Sequence, residues 1–207
     1  GTGQKCTASS RLIVHAAVHD AFVDKLVAGT QALKVGHALT AGTQLGPVVS
    51  QQQLEENLAY VALGKTEGAE LACGGDRLTR DTDGYFMAPG VFLNTTNDMR
   101  INREEMFAPL AAVIKVDSYS EALHVVNDTH FGLTSGIVTR SLSRATHFRR
   151  NARTGCVMVN LPTAGTDYHV PFGGRGDSSY CTREQCTYAA EFYTTVKTAY
   201  IASGTPE

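Results

Sequence analysis

The stretch AAVIKVDSYSEALHVVND, residues 111–128, decides the fold class of this chain. Its first part is apolar and β-branched, as in a buried strand, and Ser118 followed by Glu121 is a capping box that predicts the start of a helix. The alternation continues with a predicted strand, helix and strand at 133–139, 141–151 and 156–160. Strands that alternate with helices indicate crossover connections, so we predict an α/β fold with a mainly parallel sheet.

The N-terminal third of the chain follows the same pattern. SRLIVHAA, residues 9–16, is predicted as a buried strand. A helix that ends at Gly36 is predicted after it, from residues at spacings of four, three and four: Phe22, Leu26, Gly29 and Leu33. Glycine and proline mark residues 38–50 as a loop.

A second helix is predicted after Ser50, which can cap it, with Leu54, Leu58 and Val61 on its inner face. Shorter extended pieces are expected at 69–75 and 85–94, with a turn at 80–84 between them. The chain is predicted to end with a helix near 183–192 and a strand at 193–201, YTTVKTAYI. No internal repeat, low-complexity tract or linker divides the sequence.

Composition excludes several classes of protein. The 207 residues are 43% hydrophobic and 18% charged, with a net charge of -2, which favours an ordinary globular domain over a nucleic-acid binder or a disordered chain. No apolar run long enough to span a membrane and no signal sequence is present, so we expect no membrane partner. The five scattered cysteines fit reduced thiols in the cytoplasm. Because residue 1 is Gly rather than Met, we expect the beginning of the protein to be missing.

Cys6 is the first candidate for chemistry. It lies in a segment of small residues, where backbone N–H groups can stabilise a thiolate and later the oxyanion that forms when the thiolate attacks a carbonyl. A phosphate-binding fingerprint would need a preceding strand and a third glycine where Cys6 stands. The alternative is that Cys6 is a small buried apolar residue, since no base is evident nearby.

Two further segments are candidates. In REEMFAPL, residues 103–110, Glu104 and Glu105 are adjacent, and adjacent carboxylates point apart, which favours a solvated pair over a two-carboxylate hydrolase. Residues 160–179 form a long loop rich in Gly and Pro after a predicted strand, where parallel sheets place ligands. Its His169 has no metal partner at ligand spacing, so no metal site is predicted. The tripeptide Arg-Gly-Asp at 175–177 is interpreted as a chance occurrence.

Taken together and in this order, these segments resemble the aldehyde dehydrogenase superfamily over essentially the whole chain. GQKCTASSRLIV resembles its nucleophile segment, EEMFAP its Glu-Glu-hydrophobe-Phe-Gly-Pro signature, FGLTSGIVTR a strand entry, and PFGGRGDSS its C-terminal substrate loop. VNLPTAGTDYHVPFGG and AAEFYTTVKTAYI are most similar to bacterial α-ketoglutaric semialdehyde (2,5-dioxopentanoate) dehydrogenases.

The resemblance implies a three-layer αβα catalytic domain over residues 1–192, followed by an oligomerisation strand and tail over 193–207 that adds to the sheet of another subunit in a homo-dimer or tetramer. It also implies a thiol mechanism. Cys6 would attack the aldehyde, hydride would pass to the nicotinamide of NAD or NADP, and the resulting thioester would be hydrolysed to the carboxylic acid. The substrate implied is α-ketoglutaric semialdehyde, which gives 2-oxoglutarate.

The resemblance assigns roles residue by residue. Glu105 would hold the nicotinamide ribose, Phe107 would pack beside it, and the Cys6 N–H would be an oxyanion donor. The substrate tunnel would be lined by Asn160, Pro162 and Phe172. In the family the dinucleotide-binding domain, the general-base glutamate and the oxyanion asparagine all precede the nucleophile segment. The resemblance therefore implies that this chain alone is inactive, since a general base is worth about 10² to 10⁴ in rate.

The chain departs from the family pattern at a few positions. Ala108 stands where Gly is usual, which would crowd a turn if that position needed a positive φ. Cys181, Thr182 and Cys186 stand where close relatives have Gly, Pro and Gly, which puts the shape of that loop in doubt or represents tolerated surface drift.

Two other functions remain open at this stage. The chain could be a non-catalytic interaction module that pairs through its terminal strand. It could also transfer acyl groups or cleave esters through Cys6 without a nicotinamide.

Overall fold

A computed structural model describes residues 1–180 and 182–204 of the chain. Its strands are β1 (Arg11–His15), β2 (Glu70–Cys73), β3 (Arg77–Leu78), β4 (Phe86–Met87), β5 (Gly90–Leu93), β6 (Leu110–Val116), β7 (Thr134–Ile137) and β8 (Cys156–Val159). Its helices are α1 (Ala16–Gln31), α2 (Gln51–Thr66), α3 (Arg100–Arg103), α4 (Tyr119–Asn127), α5 (Leu142–Asn151) and α6 (Tyr188–Tyr193). One 3₁₀ turn covers Gly176–Ser178.

The strands pair mainly in parallel, which confirms the predicted α/β class. The larger sheet has the order β1-β6-β5-β2, in which β1 and β5 both run parallel to β6 and only the edge strand β2 is antiparallel. β7 and β8 form a separate parallel pair, and β3 and β4 a short antiparallel one. Each parallel pair is joined through helical segments, as crossover connections require.

Helices cover both faces of the larger sheet and produce the three αβα layers. On β6, Val113 points to one face and its neighbours Ala112 and Ile114 to the other, as alternation along a strand requires. On the Val113 face, α1 packs through Val23, Leu26 and Val27. On the opposite face lie α2, through Leu54 and Val61, and α4, through Val125.

Helix α1 is shorter than predicted, and the side chains on its inner face are not all the predicted ones. It ends at Gln31 rather than near Gly36, and Phe22 is 37% exposed, so the predicted face was wrong there. Residues 34–36 leave the helix because they pair with the following loop, where the Gly36 N–H donates to the Leu45 carbonyl at 3.0 Å. That pairing competes with the last helical turn.

The predicted helix caps are present. The Ser50 Oγ accepts from the Gln53 N–H at 3.2 Å, and the Ser118 Oγ accepts from the Glu121 N–H at 3.1 Å. The Glu121 carboxylate accepts from the N–H of Asp117, one residue before the position that a standard capping box uses. Both helices therefore begin where the sequence predicts.

The C-terminal segment differs from the prediction. Helix α6 begins at Tyr188 rather than near 183, because Glu184 pairs as an extended residue with Phe172. The strand predicted at 193–201 does not form within this chain, and residues 194–204 have no regular structure. A strand needs a partner for its N–H and C=O groups, and no part of the chain that the structure describes pairs with this segment.

No helix among the described residues combines the length and apolar character that a membrane crossing needs.

Two helical glycines allow a matched test of the packing. Gly64 of α2 is buried, and a Cβ there would lie 2.8 Å from the ring of Phe92, which is fully buried. Gly29 of α1 has open space around it. We expect Gly64→Ala to lower the free energy of unfolding by about 1–3 kcal/mol through overpacking, and Gly29→Ala to raise it by about 0.5–1 kcal/mol. Urea unfolding midpoints measure both, and a stabilising Gly64→Ala would contradict the packing described.

Candidate functional site

Cys6 lies exposed in a turn that leads into β1. Within this turn the N–H groups of Gln4, Lys5 and Ala8 donate to the carbonyls of Gly1, Gly3 and Lys5 at 2.9 Å. The N–H groups of Cys6 and Thr7 make no hydrogen bond to any residue that the structure describes. Two backbone N–H groups beside the sulfur are therefore without a partner among the described residues, one on exposed Cys6 and one on buried Thr7. The alternative reading of Cys6 as a buried apolar residue was wrong.

Gly3 fixes the Cys6 turn against the segment that precedes β6. Its φ is 70°, and a Cβ on it would collide with the carbonyl of Ala108. Only glycine permits both the backbone conformation and this close approach. The glycine of the nucleophile segment thus serves to bring two loops into backbone contact.

Gln4 ties the turn to the loop that precedes α2. Its Oε1 accepts from the Val49 N–H at 3.0 Å and lies 3.0 Å from the Thr2 Oγ1, whose single proton is shared with the Gly1 carbonyl at 2.7 Å. The side chain of Thr2 is buried, so this contact lies beneath the turn. Nothing in the sequence indicated this role for Gln4, because Val49 is 45 positions away.

A third loop reaches the turn through Thr163. Its hydroxyl donates to the Thr7 carbonyl at 2.7 Å and lies 2.9 Å from the Ser9 Oγ. Thr163 belongs to the segment after β8, three residues beyond Asn160 and next to Pro162. The contact of this segment with the Cys6 turn is therefore made by the residue that directly follows Pro162.

The two adjacent glutamates have different environments, as expected because adjacent side chains point apart. Glu104 accepts hydrogen bonds from Arg100 at 2.7 Å and from the Tyr60 hydroxyl at 3.0 Å. The bond from Arg100, supported by Tyr60, lowers the pKa of the Glu104 carboxyl. Glu105 is exposed and hydrogen-bonds to none of the described residues, and buried Met106 follows it. The Glu104 carboxylate is therefore engaged within the fold, and the Glu105 carboxylate makes no hydrogen bond to the described residues.

Phe107, rather than Ala108, adopts the left-handed backbone in this segment. The φ of Phe107 is 50°, which is costly for a side chain of this size, by about 1–3 kcal/mol. Ala108 has no positive φ and is buried in the core. The crowding considered for Ala108 therefore does not arise, since the turn places its positive φ one residue earlier.

Asn160 acts as a clamp between β7 and β8. Its Oδ1 accepts from the Thr139 N–H at 2.8 Å and its Nδ2 donates to the Thr139 carbonyl at 3.0 Å. These two bonds fix the orientation of the exposed Asn160 amide and leave one Nδ2 N–H and one Oδ1 lone pair unused. Asn160 and Pro162 line an open depression of about 720 Å³ together with Val138, Thr139, Arg140 and Leu161.

Phe172 is half-buried and is held by the C-terminal segment. It exchanges two backbone hydrogen bonds of 2.8 Å with Glu184. The next residue, Gly173, packs against Gly155, where a side chain would collide with its carbonyl. No described contact joins Phe172 to the Cys6 turn.

The Arg-Gly-Asp tripeptide has a structural explanation. The Arg175 N–H donates to the Gly132 carbonyl at 2.9 Å and the Asp177 N–H donates to the His130 carbonyl at 3.0 Å. Gly176 has a φ of 56° and begins the 3₁₀ turn. The segment therefore braces the entry to β7.

The loop that departs from the family pattern has a positive φ at two adjacent positions, Gln185 at 69° and Cys186 at 53°. Cys186 has a φ of 53°, the region that the glycine expected there would occupy without strain. Thr182 is exposed, and Cys181 lies outside the described residues. At Cys186 the backbone thus accommodates the substitution at some conformational cost.

The described part of the chain holds no group of three or more His, Cys, Asp or Glu side chains that could bind a metal ion. The chemistry available at the turn is that of an exposed thiol with unpaired backbone N–H groups beside it.

Comparison with known proteins places the chain among the aldehyde dehydrogenases. The aldehyde dehydrogenase family profile matches residues 1–199. The chain is 41% identical to an α-ketoglutaric semialdehyde dehydrogenase of Bacillus subtilis over 97% of its length and 41% of that protein. It is 43% identical to an α-ketoglutarate semialdehyde dehydrogenase of Haloferax volcanii, over 96% of its length and 42% of that protein.

The fold is also similar to that of an aldehyde dehydrogenase of known structure. Betaine aldehyde dehydrogenase from Staphylococcus aureus in complex with NAD+ superposes with a TM-score of 0.89 at 31% identity, over 93% of this chain and 38% of that one. The chain therefore spans about two fifths of the length of these relatives.

The cysteines should differ in reactivity. Burial raises the pKa of the Cys73 thiol, so less of it is thiolate at any given pH, whereas Cys6 and Cys186 are exposed. We expect iodoacetamide at pH 8 to alkylate Cys6 and Cys186 while Cys73 stays unmodified until the chain is unfolded. Mass spectrometry of peptides measures this, and labelling of Cys73 as fast as Cys186 would contradict the burial.

Proposed function

Because the chain belongs to the aldehyde dehydrogenase family, we propose that it is the catalytic domain of an enzyme that oxidises an aldehyde to a carboxylic acid with NAD or NADP. The observation that carries the proposal is the exposed Cys6 thiol beside two unpaired backbone N–H groups, in a turn held by three other loops. A fixed thiol with fixed donors is what addition to a carbonyl requires.

The chain's own residues supply most of the covalent chemistry. The Cys6 sulfur adds to the carbonyl carbon of the aldehyde, and the oxygen that becomes negatively charged accepts hydrogen bonds from the Cys6 and Thr7 N–H groups. When bound, the dinucleotide supplies a hydride acceptor, so that the adduct on Cys6 becomes a thioester. Water then cleaves the thioester, which releases the carboxylic acid and restores the thiol.

The residues present fit a nicotinamide dinucleotide at one point of contact. The exposed Glu105 carboxylate has no partner among the described residues and can accept hydrogen bonds from two ribose hydroxyls. The half-buried Phe107 offers an aromatic face beside it, and its strained backbone is typical of a residue held for function. The neighbouring Glu104 is occupied by Arg100 and Tyr60, so Glu105 is the carboxylate that fits the role.

The proposed substrate is α-ketoglutaric semialdehyde, which would give 2-oxoglutarate. Its support is the identity of 41% and 43% to the two semialdehyde dehydrogenases, compared with 38% and 37% to betaine aldehyde dehydrogenases of Mesorhizobium japonicum and Brucella anthropi. Asn160, Pro162 and Phe172 are proposed to line the tunnel, and the Asn160 clamp on Thr139 gives that wall a fixed shape. A panel of aldehydes that includes betaine aldehyde, assayed with the complete protein, discriminates these substrates.

The proposal concerns the complete protein, and the isolated chain is proposed to be inactive. It further assigns the enzyme to the cytoplasm, which the odd number and scattered spacing of the cysteines in the sequence favour. Esterase or acyl-transfer activity at Cys6 without a nicotinamide would use the same thiol and is not favoured by any separate observation.

Residues 1–192 are proposed to form the catalytic domain and residues 193–207 the element through which subunits associate. Its support is the exposure of large apolar side chains in a segment without regular structure: Val196 at 96%, Tyr200 at 96% and Ile201 at 92%. Exposed apolar side chains with a β-rich sequence pattern and no strand partner are typical of a segment that adds to another chain's sheet. The same exposure is the one observation that favours a non-catalytic interaction module as a second function.

Substitution of the nucleophile tests the dehydrogenase proposal. In the complete protein we expect Cys6→Ala to abolish NAD(P)-dependent aldehyde oxidation, by about 10⁴-fold or more, because no thioester can form. Cys186→Ala, which removes another exposed thiol, is the matched control and should keep activity. Dinucleotide reduction followed by absorbance measures both, and activity that survives Cys6→Ala rules out the mechanism.

Truncation tests the proposed subunit contact. We expect removal of residues 194–207 to lower the molar mass in analytical ultracentrifugation to that of a smaller assembly or a monomer, because the pairing strand is lost. Helix α6 ends before this cut, so the folded part is unchanged. Val196→Lys and Tyr200→Lys together keep the length and should weaken the assembly as well. An assembly of unchanged mass would exclude this segment as the contact.

A further inference from the structure

We propose that Thr163 is a positioning residue. It holds the peptide unit between Thr7 and Ala8, and through it the turn that carries the nucleophile Cys6, in the reactive orientation. The inference rests on the role of Cys6 proposed above and extends it to a residue outside the predicted site. Thr163 lies 157 positions after Cys6 in the sequence (163 minus 6), and its side chain is uncharged. Its importance follows from its contacts.

The hydroxyl of Thr163 joins two points of the Cys6 turn. Its single proton is donated to the Thr7 carbonyl at 2.7 Å, so the bond of 2.9 Å to Ser9 must use the Ser9 proton. The result is a chain of hydrogen bonds from the Ser9 hydroxyl through Thr163 to the Thr7 carbonyl. Hydrogen bonds in such a chain polarise and strengthen one another.

The peptide between Thr7 and Ala8 is thereby held at both of its polar atoms. Its N–H donates to the Lys5 carbonyl at 2.9 Å, and its carbonyl accepts from Thr163. Because a peptide unit is planar, two bonds on opposite sides fix the orientation of the whole unit. The free N–H groups of Cys6 and Thr7 lie immediately before this fixed unit, so their directions depend on it.

The other end of the contact is itself rigid. Asn160, three residues before Thr163, is clamped to the Thr139 backbone through both atoms of its amide. The methyl group of Thr163 lies over Gly136 of β7, where an added Cβ would be 3.4 Å from it. The β7–β8 pair therefore supports the Cys6 turn through one hydroxyl.

These contacts define a matched pair of variants. Thr163→Val keeps the methyl packing and removes the hydrogen bonds, whereas Thr163→Ser keeps the hydroxyl and removes the methyl group. Two readouts are needed in the complete protein. One is the rate of alkylation by iodoacetamide at the Cys6 peptide, with the Cys186 peptide as internal reference, and the other is kcat and KM for aldehyde oxidation.

We expect Thr163→Val to slow Cys6 alkylation by about threefold or more while Cys186 is unaffected, because the donors that favour a charged sulfur lose their orientation. We expect kcat to fall by about tenfold or more with KM within about twofold, since misplacement of a reacting group by about 1 Å costs on the order of 10²-fold. Thr163→Ser should restore both rates to within about twofold of the unsubstituted protein.

Three results would overturn the inference: a Thr163→Val protein equal to the unsubstituted one, equal losses in both Thr163 variants, or a parallel change at Cys186. If Thr163→Val does not fold, Ser9→Ala carries the test. It should slow alkylation of Cys6 alone, and an unchanged rate overturns the inference. The alkylation comparison needs neither aldehyde nor dinucleotide, so a protein that lacks dehydrogenase activity would refute the proposed function without deciding the role of Thr163.

Discussion

The backbone contact between Gly3 and Ala108 is the constraint on which the site depends. Gly3 accepts this contact because it has no side chain and because its φ is positive. The segment on the other side of the contact contains Glu105 and Phe107 and leads directly into β6. Since β1 and β6 are parallel neighbours, the loops before them enter the sheet at the same edge. The register that pairs Arg11 with Ala112 therefore places the thiol loop and the carboxylate loop side by side.

The third loop is the segment that contains Thr163, and it meets this edge from the carboxyl end of its own strand, β8. Ligand loops in parallel sheets usually follow the carboxyl ends of strands, and the segment after β8 obeys that rule. The Cys6 turn instead precedes β1, so the site forms where the amino ends of one sheet meet the carboxyl end of the other. The hydroxyl of Thr163 is the hydrogen-bonding group that joins the two. This arrangement explains why the separate β7–β8 pair matters to a nucleophile on the larger sheet.

Much of the fold could be predicted because its signals are local. The caps at Ser50 and Ser118 and the alternation from β6 to β8 depend on neighbours within a few positions, and these elements lie as predicted. The end of α1 could not be predicted, since residues 34–36 leave the helix for a pairing with residue 45. The strand at 193–201 was predicted from its pattern alone, but a strand forms only with a partner. The same pattern remains compatible with pairing to a second chain.

The sequence by itself determined the α/β class, the starts of α2 and α4 and the candidate Cys6, because periodicity, capping and residue chemistry are properties of short segments, and the family resemblance added Glu105. The tertiary structure decided which neighbours along the chain serve the fold and which remain free. Glu104 is bound by Arg100 and Tyr60, while Glu105 is exposed. Gln4 and Thr163 became site residues only through contacts with segments far away in sequence. Such contacts follow from strand order and register, which long-range packing sets and short segments do not encode.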